Sequence, residues 1–146
     1  MGTHNDGLPI RLDVSTSSTG GAVGGATVNL FAAADSYTKS SEASRNFGSL
    51  QLVRSMLWEN ATGFAKFNLD SIPSGAEVDS AKLHINARHI EVGGTVSIHR
   101  VTGDWGENSL THANKPSLGP ALASFSVSPT QSIGVTVLRK NMTVFA

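Results

Sequence analysis

The stretch VDSAKLHINARHIEVGGTVSIHRV, Val78 to Val101, decides the fold class. Within it Leu83, Ile85 and Ala87 alternate with Lys82, His84, Asn86 and Arg88. A period of two puts the first set on one face of a strand and the second on the other, so the apolar set points inward and the polar set outward. Gly93-Gly94 then predicts a hairpin turn into a second alternating strand, Thr95–Val101.

The same pattern extends in both directions. Upstream, Leu8–Val14 has Ile10, Leu12 and Val14 on one face, and Ala26–Phe31 and Ser49–Arg54 also read as strands. Gly63–Leu69 follows, with Phe64 on one face and the Phe67/Leu69 pair on the other, and Ser71–Ala76 has Pro and Gly placed for a type I or II turn. Downstream, strands are expected at Ala123–Val127, Val135–Leu138 and Met142–Phe145. Roughly eight short strands with a turn every 8–15 residues or so, and no convincing helix, predict an all-β fold, an antiparallel β-sandwich of jelly-roll type. Ser15–Gly25 is almost wholly Ser, Thr, Gly and Ala, the composition of a flexible tether. Residues 1–25 are therefore expected to form a flexible or strand-like extended N-terminal arm and linker, and residues 26–146 the jelly-roll domain.

Composition narrows the function. The 146 residues carry 11 basic and 11 acidic side chains, so the formal net charge is zero and nothing marks a nucleic-acid partner. Charged residues make up 15%, against about 25% in an average soluble domain, and Ser and Thr fill much of the remaining polar surface. No cysteine is present, which removes disulfides, thiolate zinc sites and Cys nucleophiles. No apolar run approaches the roughly 20 residues of a membrane span, so no membrane insertion is expected. The start Met1–Asp6 lacks the basic and apolar regions of a signal peptide. A mature domain, a protein used without export and a virion component released by lysis all fit, and the expected setting is extracellular or a virion surface.

Ala34-Asp35-Ser36-Tyr37, Asn46-Phe47-Gly48-Ser49 and Leu50-Gln51-Leu52 are followed by Ala65-Lys66-Phe67-Asn68-Leu69 and Ile72-Pro73-Ser74-Gly75-Ala76. Val78-Asp79-Ser80-Ala81-Lys82-Leu83, Ile98-His99-Arg100-Val101-Thr102 and Asp104-Trp105-Gly106-Glu107 complete the series. In order and spacing this resembles the DNRLRE domains, β-jelly-roll modules classed among carbohydrate-binding modules, over about residues 34–116. Where that family has Trp after the Thr of its "T-W-N-x-x-P" segment, this chain has His112, and the segment after Pro116 is atypical. The resemblance implies polysaccharide binding without chemistry.

Trp105, Trp58, Tyr37 and His112 are the candidate carbohydrate-binding residues. Trp105, beside Asp104 and Glu107, reads either as a sugar-stacking platform or as a plug closing the end of the sandwich with its indole N–H on a loop carbonyl. Trp58 lies in a hairpin-like region where an exposed aromatic would be a contact residue. Tyr37 reads as an edge residue with its hydroxyl in water. Asp35 and Asn46, with Asp70, are oxygen donors near loops and weak candidates for a structural calcium, although none lies in a dense calcium-loop spacing and each fits a turn or Asx cap. No other cofactor or metal is expected. His84 and His89 face opposite sides of a strand, His99 is expected across the Gly93-Gly94 hairpin from the His84–Arg88 face, and no three histidines converge.

No G-x-S-x-G elbow, phosphate loop or H-E-x-x-H motif occurs, and the only close acid pair beside an aromatic, Asp104 and Glu107, reads as loop-stabilising. The expected function is therefore that of a non-enzymatic surface module binding polysaccharide. The alternative is a structural protein, such as a virion decoration protein or extracellular filament subunit. Its arm would then add a strand to a neighbouring copy or coat subunit, and a homo-oligomer is expected.

Overall fold

The computed structural model describes residues 10–17, 25–50, 55, 59–87, 90–129 and 133–140, with side chains except at 86, 87 and 133–140. Seven strands run through the described residues: β1 (Arg11–Ser17), β2 (Ala26–Thr38), β3 (Thr62–Phe67), β4 (Glu77–Ala87), β5 (Gly94–Val101), β6 (Leu118–Val127) and β7 (Ile133–Lys140). The only helical element among them is one 3-10 turn, Ser40–Glu42. A five-stranded sheet has the order β3-β2-β1-β4-β7, a two-stranded sheet pairs β5 with β6, and every pairing is antiparallel. The architecture is the all-β antiparallel sandwich that the alternation predicts.

Within the segment expected as a flexible or strand-like arm, β1 is a strand paired along both edges. Arg11–Thr16 pairs with Phe31–Ala26 on one side, and Arg11–Ser17 pairs with His84–Glu77 on the other. Its apolar face is spent in the core: Val14, 1% exposed, meets Leu30 and Val78, with Leu12, Val28, Phe67, Leu69 and Ile72 packed around them. Every residue of a strand has backbone groups to satisfy, and a terminal strand that buries Val14 and satisfies both edges has no reason to leave the sheet. The strand expected to be offered to a neighbour is thus used at home.

Two further expectations change. The first strand of the proposed domain does not end at Phe31: β2 continues through Asp35, Ser36 and Tyr37 to Thr38, pairing with β1 over its first half and with β3 over its second. Gly93-Gly94 does not close a hairpin either. β4 has only two edges and both are taken, by β1 and β7, so the chain after Ala87 crosses to the second sheet, where β5 pairs with β6. His99 accordingly lies nowhere near His84 in register; its Nδ1 is 2.9 Å from the Gly119 carbonyl. The Pro73–Ala76 turn is as expected, closed by the Ala76 N–H on the Pro73 carbonyl at 3.1 Å, with Gly75 at φ +77° in the third position that type II turns reserve for glycine. Residues 51–54 and the strand expected at Met142–Phe145 lie outside the described residues.

Phe64 and the Phe67/Leu69 pair enter different clusters. Phe64 joins Trp105 and Leu110, with Ala34 of β2 and Val101 of β5 against them, and this second cluster ties the two-stranded sheet to the larger one. It is held by a clasp between two loops. Asn46 Nδ2 donates to the carbonyls of Glu107 (2.7 Å) and Leu110 (2.8 Å), while its Oδ1 accepts from the Gly48 N–H at 3.1 Å. The Ala113 N–H donates to the Ala43 carbonyl at 2.9 Å. Gly48 has to be glycine for a steric reason, since a Cβ there would overlap the backbone carbonyl of Glu107.

Val14→Ala should cost about 2 kcal/mol or more in urea unfolding, the loss expected for a fully buried position; a detachable arm would give no change. Gly48→Ala should cost about 1–3 kcal/mol or more by forcing the clasp apart, read as a lowered unfolding midpoint.

Candidate functional site

Two of the three aromatic residues singled out from sequence, Trp105 and Tyr37, are buried. Trp105 is 9% exposed and meets Phe64 edge-on, with ring centroids 5.7 Å apart. Lys66 closes over it: the ammonium lies 5.1 Å from the indole centroid, donates to the Trp105 carbonyl and forms an ion pair with Asp104 at 2.7 Å. Of the two readings of Trp105, the plug matches its position, with little ring face left for a sugar. Its acidic neighbours divide between two tasks, Asp104 holding Lys66 and Glu107 Oε1 accepting the Asp35 N–H at 3.2 Å.

Tyr37 is not at an edge in water. It is 3% exposed and stacks on Phe47 at 4.3 Å, because β2 runs on to Thr38 and the following loop folds back across it. Arg45 sits 5.0 Å over the other partner of that stack, Phe47. His112 is half-buried, with Nδ1 3.3 Å from the Lys115 ammonium; burial first, and the Lys115 charge second, hold its pKa below the ordinary histidine value. Trp105 and Tyr37 thus belong to separate packed groups and do not share an exposed surface, and Trp58 lies outside the described residues.

Neither calcium candidate stands in a ligand cluster. Asn46 spends both ends of its amide on the clasp, Asp35 is 1% exposed, and among the described residues no group of three or more His, Cys, Asp or Glu could hold a metal ion.

What sequence reasoning missed is the polar face of the five-stranded sheet. With Leu12, Val14, Leu30 and Ala81 turned to the core, the alternate positions form a grid across three strands. Its rows are Phe31–Arg11–His84, Asn29–Asp13–Lys82 and Thr27–Ser15–Ser80. Sheet geometry makes this grid about 10 Å wide and about 14 Å long, the footprint of a short oligosaccharide. Eight of the nine positions are polar. The exception, Phe31, is 56% exposed. At the centre Asp13 binds Arg11 in a fork, 2.9 Å from Nε and 3.1 Å from Nη2, and lies 2.8 Å from His84 Nε2. Ser15 and Thr27 hydroxyls are 3.3 Å apart in the last row. The signal was present in the opposite parity of Arg11 and Asp13 to Leu12 and Val14.

The ion pair under Trp105 has a pH signature. The hydrogen bond from Lys66, with the Trp105 N–H second, holds the Asp104 carboxyl below its ordinary value. A depressed carboxylate pKa stabilises the fold above the unfolded value, and that contribution is lost as pH falls through the folded one. The difference in urea midpoint between the wild type and Asp104→Asn should therefore be present near neutrality and narrow to nothing as pH falls through the carboxylate range.

No curated protein and no solved structure matches the chain. The model of carbohydrate-binding module family 96 matches residues 26–138, from the first residue of β2 into β7 and wider than the motif series of residues 34–116, leaving β1 outside. That match spans most of the sequence, and the chain belongs to carbohydrate-binding module family 96.

Proposed function

We propose that this chain is a non-catalytic module that binds polysaccharide, as its resemblance to DNRLRE domains implies, and that it does so on the polar face of its five-stranded sheet. The observation that carries the reading is Phe31: a phenyl ring, 56% exposed, standing in one cross-strand row with Arg11 and His84. An aromatic face receives the C–H-rich side of a pyranose ring, while the flanking polar groups meet its hydroxyls and fix its orientation. Asn29, Thr27 and Lys82 are exposed beside it and supply such groups.

This reading moves the contact surface from Trp105, Trp58, Tyr37 and His112 to the outer face of the sheet. Trp105 and Tyr37 support the fold that presents it, and the acids beside Trp105 are engaged in holding loops. Membership of the family supports carbohydrate as the ligand class. The absence of catalysis is part of the proposal.

Calorimetric titration of the intact chain against neutral and uronate-bearing oligosaccharides, xylan, cellulose, pectin and alginate fragments among them, tests it. Phe31→Ala should lower the affinity for the best ligand at least tenfold with the unfolding midpoint nearly unchanged, since the ring is exposed. No binding at millimolar ligand, or an unaffected Phe31→Ala variant, would overturn the reading.

A further inference from the structure

The family match begins at Ala26, yet the middle column of the polar grid comes from residues 11–17. β1 separates the Phe31–Asn29–Thr27 column from the His84–Lys82–Ser80 column, which without it would be about 10 Å apart with no backbone between them. It also contributes the two side chains that organise the face. Asp13 touches the Arg11 fork through both carboxylate oxygens and His84 through Oδ2, and its side chain is only 17% exposed against 40% for Arg11 and 32% for His84. Asp13 Oδ1 is buried away from any ligand, while the Arg11 and His84 side chains keep exposed area open to one.

Resting on the reading that this face binds polysaccharide, we infer that β1 is the specificity element of the module, a strand added outside the family-matched body. Within it Asp13 is a positioning residue. It orients the Arg11 guanidinium and the His84 imidazole and does not itself meet the sugar. Arg11 acts through a fixed, planar fork, and a lysine at this position keeps the charge but loses the fork.

The network is not there chiefly for stability. Partly exposed ion pairs add little to stability, so a strand needed only to fill the sheet could carry Ser or Thr at Arg11 and Asp13, as it does at Ser15.

The test uses the full chain and the same oligosaccharide panel, with Asp13→Asn, Arg11→Lys and, as a control on the second sheet, Ser97→Ala. Asp13→Asn and Arg11→Lys should each weaken the best ligand at least tenfold. They should also change the ratio of affinities for uronate-bearing and neutral members by tenfold or more, with unfolding midpoints close to wild type. Ser97→Ala should leave both unchanged. The change in rank order is the readout that a merely structural role would not produce, since loosening the sheet weakens every member alike. If Asp13→Asn does not fold, Arg11→Lys decides on the same criteria. A wild-type chain that binds no member overturns the polysaccharide reading and this inference together. A wild-type chain that binds, with variants that keep its rank order, overturns this inference alone.

Discussion

β1 is hydrogen-bonded along both edges, and that double pairing joins the two halves of the larger sheet. On one side it carries β2 and, through β2, β3; on the other it carries β4 and β7. Its inward face places Val14 at the centre of the first apolar cluster, and its outward face places Arg11 and Asp13 at the centre of the polar grid. The core and the polar grid therefore share one strand, back to back. The inward side supplies the stability, since burying Val14 is worth about 1.5–3 kcal/mol, whereas exposed ion pairs supply little.

A second constraint keeps the other end of the molecule in register. Asn46, bonded to the Glu107 and Leu110 carbonyls, locks the loop after β2 against the loop after β5, leaving no room for a side chain at Gly48. Once the loops are locked, Trp105, Phe64 and Leu110 can pack as a plug and Lys66 can close over the indole. The division of labour follows from the mechanics. A loop that buries Trp105 to hold two sheets together does not also present that ring to solvent.

That division explains which parts of the site were legible beforehand. Trp105 and Tyr37 draw attention because large amphipathic aromatics serve both contact surfaces and cores, and a sequence does not say which neighbours will cover them. Tyr37 is covered because β2 runs seven residues beyond Phe31 and its loop returns over the ring. Phe31 goes unnoticed because a single phenylalanine beside a leucine looks like core; only the pairing of β2 with β1 turns Leu30 inward and Phe31 outward.

Alternation in Val78–Ala87, in Thr95–Val101 and in the described part of Leu8–Val14 marked strands, because side-chain parity is a local property of an extended backbone. The Pro73–Ala76 turn was equally local, and the ordered motif series through Pro116 pointed to a carbohydrate-binding module. The partner of each strand was decided only in the tertiary structure. Pairing depends on which edges are already occupied: β4 cannot form a hairpin with β5 because β1 and β7 hold both its edges, and a Gly/Ser-tethered segment that looks detachable is drawn between β2 and β4. The candidate site arises from that competition for edges, since its three columns come from strands whose adjacency no local pattern encodes.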